Sequence, residues 1–324
     1  MAVLLILEVM NTIGESGNWP LNGLLTIPQT ATATNPVPAA IIVQGSGSAN
    51  MDGYMFGNRP YYDIATYLSA NGIAVIRNDK RGYAHADALL TLAQQDVMAF
   101  GGLTVWDEAI EDALLAAELL LADPRIDSNR IYLVGHSLGA ILAPRIQIAA
   151  QENGFSFAGL ILMAGTSREL TQTVLDQTYA SIAEAPTPEA QEMLDVLTTL
   201  APMIWETPSD EAKAMFWFGA SFFYIQDLAN PTFGAAVSSI NIPILVMQGA
   251  RDFQIRADVD FIQMQEILSG RGNVAFKLYD DLDHLFMPSA ATTFVEHATL
   301  IMESPRRVDA QVLQDIADWI LSNK

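Results

Sequence analysis

Short apolar runs recur along the chain, separated by segments long enough for helices. Leu24–Ile27, Ala40–Val43, Ile73–Ile76, Ile131–Val134, Gly159–Met163, Ile244–Met247 and Val274–Tyr279 all have strand length. Ala2–Leu7 reads as a further strand, because it lacks a basic leader and meets Glu8 at once, which argues against a signal peptide. These runs are apolar throughout instead of alternating, as strands of a parallel sheet buried on both faces must be. Between them, Tyr61–Ala70 has helical spacing at Ile64, Tyr67 and Leu68 and stops at Asn71-Gly72. A longer helix is predicted from Thr104 to Ala122, with Asp107 and Glu108 in its positive first turn, and another from Asp309 to Leu321. Alternation of this kind predicts an α/β architecture, a mostly parallel central sheet flanked by helices. Reactive groups in such sheets collect at the carboxyl ends of the strands.

Residues 168–238 break the rhythm. They carry helical stretches but no strand, a middle punctuated by Pro186, Pro188, Pro202 and Pro208, and the aromatic clusters Phe216-Trp217-Phe218 and Phe222-Phe223-Tyr224. A helical cap is expected there, inserted into a core formed by residues 1–167 and 239–324. Phe216, Trp217, Phe222 and Phe223 are its candidates for lining a substrate pocket, with packing of the cap itself as the rival role.

Composition narrows the partners. The 37 acidic residues against 16 basic ones give a net charge of −21, and no Lys/Arg cluster offers a footprint for nucleic acid or an anionic membrane. Lysines are confined to positions 80, 213, 277 and 324, so the acidity fits either a salty habitat or plain solubility. Without cysteine there are neither disulfides nor thiolate metal sites, and no cofactor or metal is expected. The longest later apolar stretch, Met215 to Ile225, is too short to cross a bilayer. A cytoplasmic bacterial protein is the expectation, with a mature secreted form and a homodimer both left open.

Candidate chemistry centres on Gly135-His136-Ser137-Leu138-Gly139, which follows the apolar run Ile131–Val134 and precedes Ala140-Ile141-Leu142-Ala143, a segment able to open a helix. In a strand–turn–helix context, G-x-S-x-G forms a tight turn that leaves the serine hydroxyl exposed at the strand end. The bland alternative is a β–α loop whose serine caps a helix. A serine hydroxyl needs a base to take its proton and a carboxylate to hold that base's tautomer. Four histidines occur. His136 lies inside the turn, His85 in a loop, and His297 in the helix expected over Phe294–Met302. His284 follows the last expected strand through Asp280-Asp281-Leu282-Asp283 and is the candidate base. Asp252, in Gln248-Gly249-Ala250-Arg251-Asp252 after the preceding strand, is the candidate acid; Asp280, Asp281 and Asp283 read as turn residues. An oxyanion would need backbone N–H donors. Leu138 should supply one and Ser46, in Gln44-Gly45-Ser46-Gly47-Ser48, the other, with Gly47 as second choice. A phosphate cradle is the rival for that loop, but no Walker lysine follows it.

With these stretches assembled, the chain resembles the α/β-hydrolase superfamily, and more narrowly bacterial serine carboxylesterases with an HGSG-type first loop. The likeness rests on residues 44–47, 58–65, 71–82, the turn at Ser137, 242–252 and 282–286, in combination. It implies an α/β-hydrolase fold, hydrolysis of small acyl esters, and nucleophile, acid and base at Ser137, Asp252 and His284, in the family's Ser…Asp…His chain order. Two departures stand out: Gln44 replaces a frequent histidine, and Leu138 and Ala140 replace the Glu and Gly of Gly-His-Ser-Glu-Gly-Gly. A peptidase or an acyltransferase could use the same three residues, because leaving-group choice lives in the cap. A non-catalytic ligand-binding relative is the reading from another class, and a chromogenic ester would separate it.

Overall fold

The structure, a computed structural model, describes residues 6–14 and 19–323. Most of the strand expected at Ala2–Leu7 lies outside the described residues; Ile6 and Leu7 open the first strand. The strands are β1 (Ile6–Ile13), β2 (Leu21–Pro28), β3 (Val37–Val43), β4 (Ala74–Asn78), β5 (Ile126–His136), β6 (Gly159–Met163), β7 (Phe216–Trp217), β8 (Ala220–Ser221), β9 (Ile244–Gly249) and β10 (Val274–Tyr279). Eight of them form one sheet in the order β1-β2-β4-β3-β5-β6-β9-β10. Only β2 runs antiparallel to its neighbours in that sheet; every other pairing is parallel.

Alternate residues of the central strands feed two separate apolar clusters. Ala39, Ile41 and Leu133 pack under the helices Glu111–Ala122 and Leu138–Glu152. Ala40, Ile42 and Val134 pack under Pro60–Ala70 and Ala310–Ser322 on the opposite face. This is why the strands read as unbroken apolar runs: β3, β6 and β9 are buried at every residue. At the edge, β10 has one covered face and alternates instead.

Residues 168–238 contribute the helices Leu170–Glu184, Pro188–Glu206, Ser209–Ala212, Phe222–Leu228 and Phe233–Ser238. Val174, Leu197, Ile204, Trp217 and Phe222 give this segment a small apolar core of its own. Two expectations need correction. The segment is not without strand, since β7 and β8 pair as a short hairpin around Phe218 and Gly219, both at positive φ. Its C-terminal end is also not separate: Leu228, Phe233 and Val237 join the main core. Between β4 and the helix Glu111–Ala122, three further short helices (Arg81–Ala84, Ala86–Gln95 and Val97–Gly101) form a second flap, with no buried residue in the middle one. Among the described residues, no helix is long and apolar enough to cross a membrane.

Candidate active site

Ser137 sits between β5 and the helix Leu138–Glu152 with φ 54° and ψ −117°, a conformation that L residues rarely adopt. The turn is as tight as the sequence demands. A Cβ on Gly135 would lie 2.3 Å from the Gly139 carbonyl oxygen, and one on Gly139 would lie 2.1 Å from that of Val43. The strained serine is held by its own N–H, which donates to Met163 O at 2.8 Å across the sheet. Leu138 opens the helix, so its N–H has no intrahelical partner, and the helix dipole adds partial positive charge there. Ser46 and Gly47 lie on the loop after β3, and Gly47 takes φ 88°. Ser46, Ser137 and Leu138 all face one cavity of about 870 Å³.

His284 and Asp252 come from adjacent loops, after β10 and β9. His284 Nδ1 and Asp252 Oδ2 are 2.7 Å apart and buried. The remaining lone pairs of Asp252 are filled: Oδ1 accepts from Gln254 N and Ile255 N, and Oδ2 also accepts from Gln248 Nε2 at 3.0 Å. The carboxylate can therefore turn neither way, and it fixes the proton on Nδ1. Burial disfavours the His284 imidazolium, but the charge and hydrogen bond of Asp252, with the charge of Asp283 behind, outweigh it and raise its pKa above the ordinary histidine value. Asp283 itself faces elsewhere: Oδ1 accepts from Leu285 N and Met287 N, and Oδ2 pairs with Arg306. It braces the loop that carries His284.

His136 holds the centre of a chain not foreseen in the sequence. The Gly45 N–H donates to Tyr61 Oη at 3.1 Å, Tyr61 Oη lies 3.0 Å from His136 Nδ1, and His136 Nε2 lies 2.8 Å from His284 O. Burial pushes the Tyr61 phenol up to about 12, so it donates to Nδ1. Burial and the nearby His284 charge bring His136 down to about 3, so it is neutral and donates from Nε2 to the His284 carbonyl. One directed chain thus ties the loop after β3 to the serine turn and to the loop of His284. Gln44 braces the same loop by donating from Nε2 to Asn78 O at 2.6 Å, on the end of β4.

Of the four aromatic residues expected at the pocket, Phe216 and Trp217 line the cavity, whereas Phe222 and Phe223 do not. Phe222 is wholly buried in the core of the inserted segment, and Phe223 packs against it. Phe218, Tyr224 and Ile225 line the cavity in their place, opposite Leu89, Leu90 and Ala93 of the flap. His85 bonds to Pro20 O, far from the serine in role, and His297 is buried against Phe253. Among the described residues, no group of three or more His, Asp or Glu side chains is placed to hold a metal ion. The arrangement joins a hydroxyl on a strained turn to an imidazole of fixed tautomer whose loop is bonded to that turn, the ingredients of attack on a carbonyl, and Ser46 and Leu138 line the cavity that Ser137 faces.

Residues 52–288 match the family model described as serine aminopeptidase S33, and the chain belongs to this family of α/β-hydrolases. It is 33% identical over 302 residues to Esterase EstD of Thermotoga maritima, an alignment covering 93% of this chain. The chain spans 65% of that relative's length. Solved structures of like fold include Est1E from Butyrivibrio proteoclasticus, with a TM-score of 0.56, 14% identity, and 97% and 98% of the two chains covered. A puromycin-hydrolyzing peptidase of Mycobacterium tuberculosis has a TM-score of 0.59 and 15% identity, over 100% of this chain and 40% of that one. At such identities the likeness is one of fold.

Proposed function

We propose that the chain is a serine carboxylesterase acting on short- to medium-chain acyl esters. Ser137 Oγ attacks the ester carbonyl while His284 Nε2 takes its proton and returns it to the leaving alkoxide. Asp252 keeps His284 in the productive tautomer and stabilises the imidazolium as it forms. The N–H groups of Ser46 and Leu138 receive the oxyanion. A water molecule, deprotonated by His284, then attacks the acyl-enzyme and releases the carboxylic acid. The observation that carries this reading is the buried 2.7 Å pairing of His284 with Asp252, its loop tied through His136 to the turn of Ser137.

The segment 168–238 acts as the cap, roofing the cavity with Phe216, Trp217, Tyr224 and Ile225. At about 870 Å³ the cavity lies within the range of small-molecule sites, roughly 300–1,000 Å³, and its walls are largely apolar. The name of the Thermotoga relative supports ester hydrolysis. Aminopeptidase activity would call for a free carboxylate to receive a substrate ammonium. On the cavity wall, Asp107 is engaged by Thr104, and Glu108 by Lys80 and Tyr224, whereas the exposed Glu169 keeps a carboxylate without a side-chain partner among the described residues, so the anilide arm of the test decides between ester and aminoacyl substrates. The test is a panel of p-nitrophenyl butyrate, octanoate and palmitate beside an aminoacyl p-nitroanilide, with Ser137→Ala as reference. Butyrate or octanoate should turn over fastest, and Ser137→Ala should lose at least about a thousandfold. A maximum at palmitate with activation at a lipid interface, or preference for the anilide, would overturn the assignment.

A further inference from the structure

Among the described residues, Lys80 is the one lysine with a buried ammonium group at the cavity wall. Its Nζ donates to the carbonyl oxygen of Gly45 at 2.6 Å and to Glu108 Oε1, while Tyr224 of the cap donates to the other oxygen of Glu108. Burial and the charge of Glu108 raise the Tyr224 pKa well above the ordinary phenol value, so the donor direction of that bond is fixed. The carbonyl that Lys80 grips is not an arbitrary one. Gly45 C=O and Ser46 N–H belong to the same planar amide, and electron density drawn toward the oxygen leaves the nitrogen hydrogen more positive.

We propose that Lys80 is a positioning residue for acyl transfer: its ammonium, bonded to the Gly45 carbonyl, polarises the Gly45–Ser46 peptide and strengthens Ser46 N–H as an oxyanion donor. The proposal rests on the reading of Ser46 N–H as one of the two donors. Three held points keep this peptide in register. Gly45 N–H is anchored on Tyr61, Gln44 on Asn78 O, and Gly45 O on Lys80. Of these three, only Lys80 brings a full charge, and it does so in a site where little water screens it. Glu108 and Tyr224 hold the ammonium where the carbonyl is, so the cap contributes to the polarisation without touching the reacting atoms. The neutral ester carbonyl gains little from a stronger donor, whereas the oxyanion gains much. The effect therefore belongs to the transition state.

An oxyanion donor is worth roughly a hundred- to a thousandfold in rate, and cooperative polarisation adds about 10–30% to a bond, more when the polarising group is charged. Lys80→Met should accordingly lower kcat on p-nitrophenyl butyrate about five- to tenfold with KM changed less than about twofold. Inhibition by an aliphatic trifluoromethyl ketone, which adds Ser137 Oγ and leaves a charged hemiketal oxygen, should weaken by the same factor. Lys80→Gln keeps a neutral donor to Gly45 O and should fall between wild type and Lys80→Met. If Lys80→Met does not fold, Lys80→Gln carries the comparison alone, with at least about a twofold fall matched in kcat and inhibitor affinity. A rise in KM at constant kcat, or a loss of kcat without loss of inhibitor affinity, overturns the proposal. Ser137→Ala separates the two levels: if it stays active, the nucleophile assignment itself fails. If it is inactive and the Lys80 variants behave as wild type, only the polarisation fails.

Discussion

Two buried aspartates, Asp252 and Asp283, both place charge beside the imidazole of His284, but only Asp252 bonds to it, and replacing each by asparagine should damage different properties. In Asp252→Asn the oxygen that keeps the bonds of Gln254 N and Ile255 N must remain the carbonyl, since a flipped amide would set its NH2 against two N–H donors. The new NH2 then occupies the place of Oδ2, facing His284 Nδ1 and Gln248 Nε2. It donates to Nδ1, forces the proton onto Nε2, and leaves no lone pair to take the serine proton. A tautomer error of this kind costs about four orders of magnitude in kcat. The donor–donor contact with Gln248 adds about 1 kcal/mol of instability. Asp283→Asn has the opposite profile. Its Oδ1 can keep Leu285 N and Met287 N, but Arg306, only 11% exposed at its side chain, loses its carboxylate. Stranding a largely buried guanidinium costs about 3 kcal/mol, which for a chain of 324 residues lowers Tm by about 4–5 °C. Its kcat should fall less than about tenfold. The assay is kcat on p-nitrophenyl butyrate beside thermal unfolding followed by circular dichroism. A folded Asp283→Asn with the larger loss of kcat would refute the assignment of the acid.

Ser137 holds a strained φ, so Ser137→Gly and Ser137→Ala should both be inactive, while the glycine variant unfolds about 1–3 °C higher; equal Tm values would mean that the turn stores no strain. Because the folded pKa of His284 is raised, the acid limb of kcat/KM should lie above pH ~6.5, and activity should be lost as pH falls through it. Asp283→Asn, by removing one raising charge, should move that limb down, and a limb unmoved or displaced upward would contradict the electrostatics. His136 has the reverse sign: its folded pKa of about 3 lies below the unfolded value, so its contribution to stability is present above pH ~6.5 and lost on acidification. Chemical denaturation should show wild type losing about 2 kcal/mol relative to His136→Gln between pH 7 and pH 5, and parallel pH profiles would place a proton on the folded His136.

Where the sequence was informative, the reason is local and physical. A strand covered on both faces has to be apolar at every position, so β3, β6 and β9 declared themselves without alternation. The serine turn was legible because its glycines leave no room for a Cβ. Asp252 could be preferred over three nearer aspartates by sheet order alone, since β9 and β10 are neighbours and deliver their loops side by side. The aromatic residues of the inserted segment lacked any such local rule. Phe222 and Phe223 are as apolar as Phe216 and Phe218, and only the direction each takes from its hairpin or helix sends the first pair into the segment's own core.

The flap at residues 81–101 went unread for a related reason. Ala86, Leu89, Leu90 and Ala93 keep helical spacing, yet no residue of that helix is buried, because its apolar positions face the cavity and not the core. An amphipathic helix is ordinarily evidence of a protein surface beneath it; here the surface beneath is the space in which an ester would lie. The polar groups around that space were harder still. Lys80, Glu108 and Tyr224 are spread over 144 positions of chain, and no spacing or shared motif links them to one another. They become a unit only when the loops after β3 and β4, the helical turn Trp106–Ile110 and the inserted segment meet over one buried carbonyl. Residues proposed to make or break covalent bonds, Ser137 above all, sit on turns whose geometry restricts the sequence. Those proposed to tune the bonds are brought together by long-range packing, which leaves no pattern along the chain and can be read only from the folded structure.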